Sequence, residues 1–210
     1  MKPAQKKKLL SLFAELYENP ATELVFHNEY QLLLCVMLSA QSTDKKVNEI
    51  TPELFRHYPS FKQLAKARLE DVEALIRQVN YYKTKAKHLI ECAKLVESQF
   101  GGEIPRSHAE LVSLPGVGNK TANVILSELG IAHALAVDTH VFRVSRRLGL
   151  ASGSTPIQVE NELKDQFPPE LWRNVHHYLI LHGRRVCKAQ RPDCSNCSLQ
   201  RLCPASTPDQ

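Results

Sequence analysis

A chain of 210 residues with a net charge of +5, 43% hydrophobic and 23% charged, has the composition of an ordinary soluble globular protein, long enough for one large core or two smaller ones sharing a groove. The composition excludes a membrane span, because the longest apolar run, Leu32 to Leu38, is about a third of the ~20 residues needed to cross a bilayer. The basic start, Met1 to Lys8, leads into a periodic helix containing Glu15 and Glu18, which makes a poor secretory signal and points to the cytoplasm.

The first predicted helix runs from Lys8 to Tyr17 with Leu9, Leu12, Phe13 and Leu16 on one face, and Asn19-Pro20 ends it. Tyr30 to Ala40 is apolar on nearly all sides and too long for a typical strand, so it reads as a buried helix. The polar turn Leu38-Ser39-Ala40-Gln41-Ser42-Thr43-Asp44 leads into a helix with Val47, Ile50 and Leu54 inward. Phe61 to Ala67 and Leu69 to Val79 form two shorter helices, and Asn80-Tyr81-Tyr82 breaks the pattern. Lys83 to Phe100 resumes it with Ala86, Leu89, Ile90, Ala93 and Val96 in line, and Gly101-Gly102 stops it. Only Leu135 to Val137 hints at a strand, so the predicted fold is all-α with about ten helices.

Ser107 is placed to N-cap a short helix ending near Ser113, with Glu110 as its capping-box partner. Leu114-Pro115-Gly116-Val117-Gly118 then makes a tight turn whose two glycines let the backbone approach something closely. From Thr121, Ala122, Ile125, Leu126 and Leu129 make one apolar stripe. The whole reads as a helix-hairpin-helix. Lys120 points almost directly away from that stripe, into space the core does not fill, where it can meet a ligand. Gly116 and Gly118 leave backbone N–H groups for a phosphate at a helix N-terminus. Eighteen residues beyond Lys120 comes Asp138, an N-cap for a helix from Thr139 to Leu148. That helix carries Val141, Val144 or Ser145, and Leu148 inward, with Arg143, Arg146 and Arg147 outward. Thr155-Pro156 launches another helix, and a last one runs from Leu171 to Gly183.

The basic residues gather in four clusters, at Lys6 to Lys8, at Lys83, Lys85 and Lys87, on the Arg143 helix, and at Arg184, Arg185 and Lys188. Several of them flank turns and glycines, as a phosphate-binding surface requires. Four of the six cysteines, Cys187, Cys194, Cys197 and Cys203, are separated by six, two and five residues. Clustered thiolates in a chain without a secretory signal read as metal ligands rather than disulfides. Ligand type alone leaves a tetrahedral zinc and an iron-sulfur cluster both open, while the wide gaps favour something broader than one ion. The loop they enclose holds Lys188 and Arg191, fixed in shape to press cations on phosphate. Cys35 and Cys92 fall on apolar helical positions and read as core.

Together, Leu114 to Ala122, Val137-Asp138-Thr139-His140-Val141, the cysteine spacing and Leu38 to Asp44 resemble the endonuclease III family, bifunctional DNA glycosylases of the helix-hairpin-helix superfamily. The resemblance covers essentially the whole chain. It implies a six-helix bundle domain at residues 22–133 with the helix-hairpin-helix at about 107–130, and a second domain of residues 1–21 plus 134–210 holding a 4Fe-4S cluster on the four cysteines. It further implies a monomer acting on duplex DNA bound in the groove where Lys120 projects, a nucleoid-associated cytoplasmic location, and excision of oxidised pyrimidines with strand cleavage by β-elimination. Lys120 and Asp138 match the family's catalytic pair. Gly116, Val117 and Gly118 match its DNA-binding hairpin.

Base excision makes the sugar develop positive charge, and an unprotonated lysine then bonds to C1′ as a Schiff base. The helix dipole and partial burial both favour that uncharged amine at Lys120. Everting a nucleotide needs side chains to fill the gap in the stack, work the resemblance gives to Gln41 and to the loop with Tyr81. The family commonly has glycine and leucine where this chain has Asn80 and Tyr81. Two alternatives stand beside this reading. An adenine-mismatch glycosylase would lack the lysine and carry a glutamate where this chain has Cys35-Val36-Met37-Leu38. A non-enzymatic iron-sulfur redox protein would bind DNA without cutting it.

Overall fold

A computed structural model describes residues 1–206. The described chain is all-helical, with no strand, as expected from the sequence. It forms two compact units, Glu23–Ala132 and Met1–Thr22 with His133 onward. No helix among the described residues is long and apolar enough to cross a membrane.

In the Glu23–Ala132 unit the centre is helix α2, Glu29–Ser39, which Asn28 caps through its side chain. Every residue from Leu32 to Leu38 is buried, as a helix apolar all round must be. Around it pack α3 (Asp44–His57), α6 (Tyr82–Phe100) and α8 (Asn119–Glu128). Val47, Ile50 and Leu54 of α3 and Ala86, Leu89, Ala93 and Val96 of α6 face the core. The short helices α4 (Phe61–Leu64) and α5 (Leu69–Ile76) are each three residues shorter than the sequence suggests. Their ends tighten into i→i+3 turns, Ala67 N–H to Leu64 O and Val79 N–H to Ile76 O, though Val79 remains in the core. Cys35 and Cys92 are fully buried, and burial pushes each thiol up to about 12.

The other unit holds α1 (Pro3–Leu16), α9 (Thr139–Arg147), α10 (Pro156–Gln166) and α11 (Trp172–Arg185). Helix α1 starts five residues before the predicted Lys8, because Pro3 suits the first helical position and Gln5 Oε1 accepts from Lys2 N–H at 3.1 Å. Its core stripe is Leu9, Phe13 and Tyr17, an i, i+4 row, whereas the predicted Leu16 is exposed and Leu12 is only half-buried. Phe13 stacks on Tyr178 with ring centres 5.3 Å apart. The Leu135–Val137 segment forms no strand. It is buried and irregular, with Ala136 O held by His176 Nδ1 at 2.8 Å.

Candidate nucleic-acid interface and cysteine loop

The hairpin forms from local signals. Ser107 Oγ accepts from Glu110 N–H, and Glu110 Oε2 accepts in return from Ser107 N–H, which starts α7 (His108–Ser113). Leu114 and Val117 are buried and anchor the turn, and Val117 N–H closes it on Leu114 O at 3.0 Å. Val117, expected at the DNA surface, therefore has its side chain in the core and its N–H engaged. The two glycines differ. Gly116 has φ +80, and a β-carbon there would meet His88 Cβ at 2.9 Å and Met37 Cε at 3.0 Å. Gly118 has ordinary backbone angles and open space around its missing side chain.

Gly118 is the N-cap of α8, so no side chain caps that helix and its first turn presents backbone N–H groups and a positive dipole end. Lys120 lies in that first turn. It is exposed, not partly buried as the sequence suggested.

The Gln41 turn and the Tyr81 loop are joined through Asn80, the neighbour of Tyr81. Gln41 and Tyr81 are both exposed and both adopt left-handed angles, φ 54 and 58. Asn80 Nδ2 donates to Gln41 O at 2.6 Å, and Asn80 N–H donates to Ser42 Oγ at 3.2 Å. Beneath them Lys85 Nζ donates to Leu38 O and Ala40 O, both at 2.7 Å, and to Ser42 Oγ at 3.1 Å. Lys85 is buried, and desolvation pushes its ammonium down to about 8. Lys85 therefore does not belong to a surface cluster with Lys83 and Lys87, which are exposed. The signal was present, since Lys85 falls on the stripe of Leu89, Ala93 and Val96.

In the other unit Asp138 caps α9, with Oδ1 accepting from both His140 N–H and Val141 N–H at 2.8 Å. Val144 and Ser145 are both buried. Of the three arginines predicted to face outward, only Arg146 is exposed. Arg143 donates to Gly183 O at 3.0 Å and to Cys187 O at 3.1 Å. Arg147 donates to Lys188 O at 2.7 Å, to Ala189 O at 3.1 Å and to Cys187 Sγ at 3.4 Å. These two side chains shape the loop that the cysteines enclose.

Cys187, Cys194, Cys197 and Cys203 line one cavity, and none forms a disulfide. His182 also faces that cavity, with its ring nitrogens 2.9 Å from Tyr17 Oη and 3.5 Å from Cys197 Sγ. Burial first, and the neighbouring thiols in addition, raise Cys197 and Cys203 above the ordinary thiol range. Among the described residues no three His, Cys, Asp or Glu side chains converge tightly enough for a single metal ion. Lys188 and Arg191 are exposed on the same loop, Arg191 with φ 48. Lys120, Gln41 and Tyr81 belong to the Glu23–Ala132 unit, and Asp138 and the cysteines to the other.

A helix-hairpin-helix with an exposed lysine at an uncapped helix start, followed by an aspartate-capped helix, defines a class, and the chain belongs to the HhH-GPD superfamily of base excision DNA repair proteins, whose family model matches residues 34–169. It is 42% identical over 196 residues to endonuclease III of Rickettsia conorii, covering 93% of each chain. Endonuclease III of Synechocystis is 41% identical over 211 residues, covering 98% of this chain and 96% of the relative. Among solved structures, a trapped endonuclease III-DNA covalent intermediate superposes with a TM-score of 0.93 at 39% identity, over 98% of this chain and 97% of the other.

Proposed function

We propose that this chain is a DNA glycosylase and abasic-site lyase that removes oxidised pyrimidines from duplex DNA, with Lys120 as nucleophile and Asp138 managing charge. The observation that carries it is Lys120 exposed in the first turn of α8 behind the open Gly118. A DNA phosphate approaching Gly118 meets no side chain and lies on the positive end of the α8 dipole, which fixes the strand without reading its sequence.

The lysine amine, having lost its proton, bonds through Nζ to C1′ as the bond from C1′ to the base nitrogen breaks. The base leaves with that electron pair and is protonated. Ring opening converts the adduct to an imine, whose electron-withdrawing pull acidifies the 2′ proton. Removal of that proton expels the 3′ phosphate oxygen and cuts the strand. Asp138 caps α9 with Oδ1 alone, so its second oxygen is left to accept a proton or to face the cationic sugar. Gln41 and Tyr81 fill the stack when the nucleotide leaves it, since a glutamine and an aromatic ring both occupy the space of a base.

Cys187, Cys194, Cys197 and Cys203 would hold a 4Fe-4S cluster. Four unpaired thiols around one cavity, without closing on a point, suit a multi-iron group better than one ion. Bound there, the cluster supplies covalent cross-links to a segment in which Leu199 is the one buried apolar residue among those described. Lys188 and Arg191 then present their charges to phosphate from a fixed loop. The adenine-mismatch alternative requires a carboxylate where Cys35, Val36, Met37 and Leu38 are all buried and apolar.

Borohydride trapping on duplex DNA containing thymine glycol or an abasic site tests the reading. Wild type gives a covalent adduct and Lys120→Ala gives none. Asp138→Asn keeps α9 capped, with stability changed by less than about 0.5 kcal/mol, and slows excision roughly a hundredfold. Binding without any adduct in wild type would overturn the reading; base release without an adduct would favour a monofunctional glycosylase, and neither base release nor adduct a non-enzymatic DNA-binding protein.

A further inference from the structure

The Gln41 turn and the Tyr81 loop are joined by a closed ring of hydrogen bonds. Lys85 Nζ grips Leu38 O, Ala40 O and Ser42 Oγ, so it brackets Gln41 on both sides. Its own backbone N–H donates to Tyr81 O at 3.0 Å. Asn80 completes the ring, with its amide on Gln41 O and its N–H on Ser42 Oγ. The acceptors of the buried ammonium are two carbonyls and a hydroxyl, all neutral. Burying a cation against neutral groups is costly, and an apolar residue would suit this position on the α6 stripe better for stability alone. Both prongs of the ring are exposed and left-handed, a conformation that non-glycine residues keep only when their surroundings over-determine it.

We propose that Lys85 and Asn80 are positioning residues that lock Gln41 and Tyr81 into one two-pronged wedge, so that both side chains enter the duplex together when a nucleotide is everted. This rests on the reading of Gln41 and Tyr81 as the residues that fill the stack. Two prongs on separate mobile loops would each lose conformational freedom on insertion, whereas a preassembled pair has lost it already. The Asn80 amide is the link that a single side-chain change removes most cleanly, because a smaller residue at 80 would leave Gln41 O without it.

The test uses the full chain in single-turnover excision of thymine glycol from duplex and from single-stranded DNA, with borohydride trapping on a single-stranded abasic oligonucleotide as the step that needs no wedge. Asn80→Gly slows duplex excision roughly tenfold, the equivalent of one good hydrogen bond, and leaves single-strand trapping unchanged. Lys85→Met slows duplex excision further, and Lys85→Arg restores part of it. In the wild-type background the effects of Gln41→Ala and Tyr81→Ala are non-additive, and in Asn80→Gly they become additive. Equal losses on duplex and single strand, or additive effects in the wild-type background, overturn the proposal. Amide hydrogen exchange tests the ring without any catalysis, so it holds even if the lyase reading fails. Asn80→Gly speeds exchange at Ser42 and Lys85 together, and unchanged exchange at both overturns the clamp.

Discussion

Helix α2 and the cysteine-bearing tail are held by opposite means. Around α2 the chain buries a continuous run, Leu32 to Leu38, against three helices, and its shape follows from apolar area. From Cys187 to Ser206 only Leu199 is a buried apolar residue among those described, and the path follows from directed bonds, those of Arg143 and Arg147 to particular carbonyls, with the proposed cluster bonds of the four thiols in addition. Area tolerates conservative exchange. Directed bonds do not.

Four measurements probe that contrast. The largest effect belongs to Cys197→Ser, or to chelation of the iron of the proposed cluster. Absorbance near ~400 nm disappears, the tail becomes the preferred site of limited proteolysis, and fragments of the Glu23–Ala132 unit survive. Next is Leu34→Ala, which lowers unfolding free energy by about 3 kcal/mol through transfer and cavity terms, against less than about 1.5 kcal/mol for Leu34→Met. Third is the pH dependence contributed by Lys85, the polar exception within the apolar unit. Its folded value of about 8 lies below the 10.5 of an unperturbed lysine, so below pH ~8 both states are charged and the native state bears the full burial cost. Between ~8 and ~10.5 the unfolded chain still holds a proton that the native state has released, and stability climbs with pH by up to roughly 3 kcal/mol. Lys85→Met abolishes that climb in denaturant titrations. The smallest effect is Arg147→Met, at about 2 kcal/mol for bonds from a charged donor, with the loss confined to the unit that holds the tail.

The same contrast explains what the sequence revealed. α2, α3 and α6 were legible because helical periodicity is local, and the Ser107–Glu110 capping box because its partners lie three residues apart. Tyr17 displaced Leu16 from the α1 stripe because the row actually used runs Leu9, Phe13, Tyr17. Arg143 and Arg147 looked like a solvent-facing basic surface because their acceptors lie some forty residues further along the chain, where no periodicity reaches. Lys85 was misread for a different reason. Charge grouped it with Lys83 and Lys87, while spacing placed it with Leu89 and Ala93, and spacing was correct. Of the candidate site, the outward direction of Lys120 and the aspartate cap could be reasoned from residues, whereas the full exposure of Lys120 could not, and the pairing of Lys120 with Asp138 came from family resemblance.

The two hairpin glycines answer to two different physical constraints. A library screened only for folded protein would keep Gly116, hemmed in by Met37 and His88, and would let Gly118 drift to alanine or serine, since among the described residues none beyond its chain neighbours and its own helix lies within 4 Å of a β-carbon there. A library screened for repair in cells would keep both. The gap in tolerance at these positions measures, without any complex in hand, how much of this surface is shaped for the protein itself and how much for what it touches.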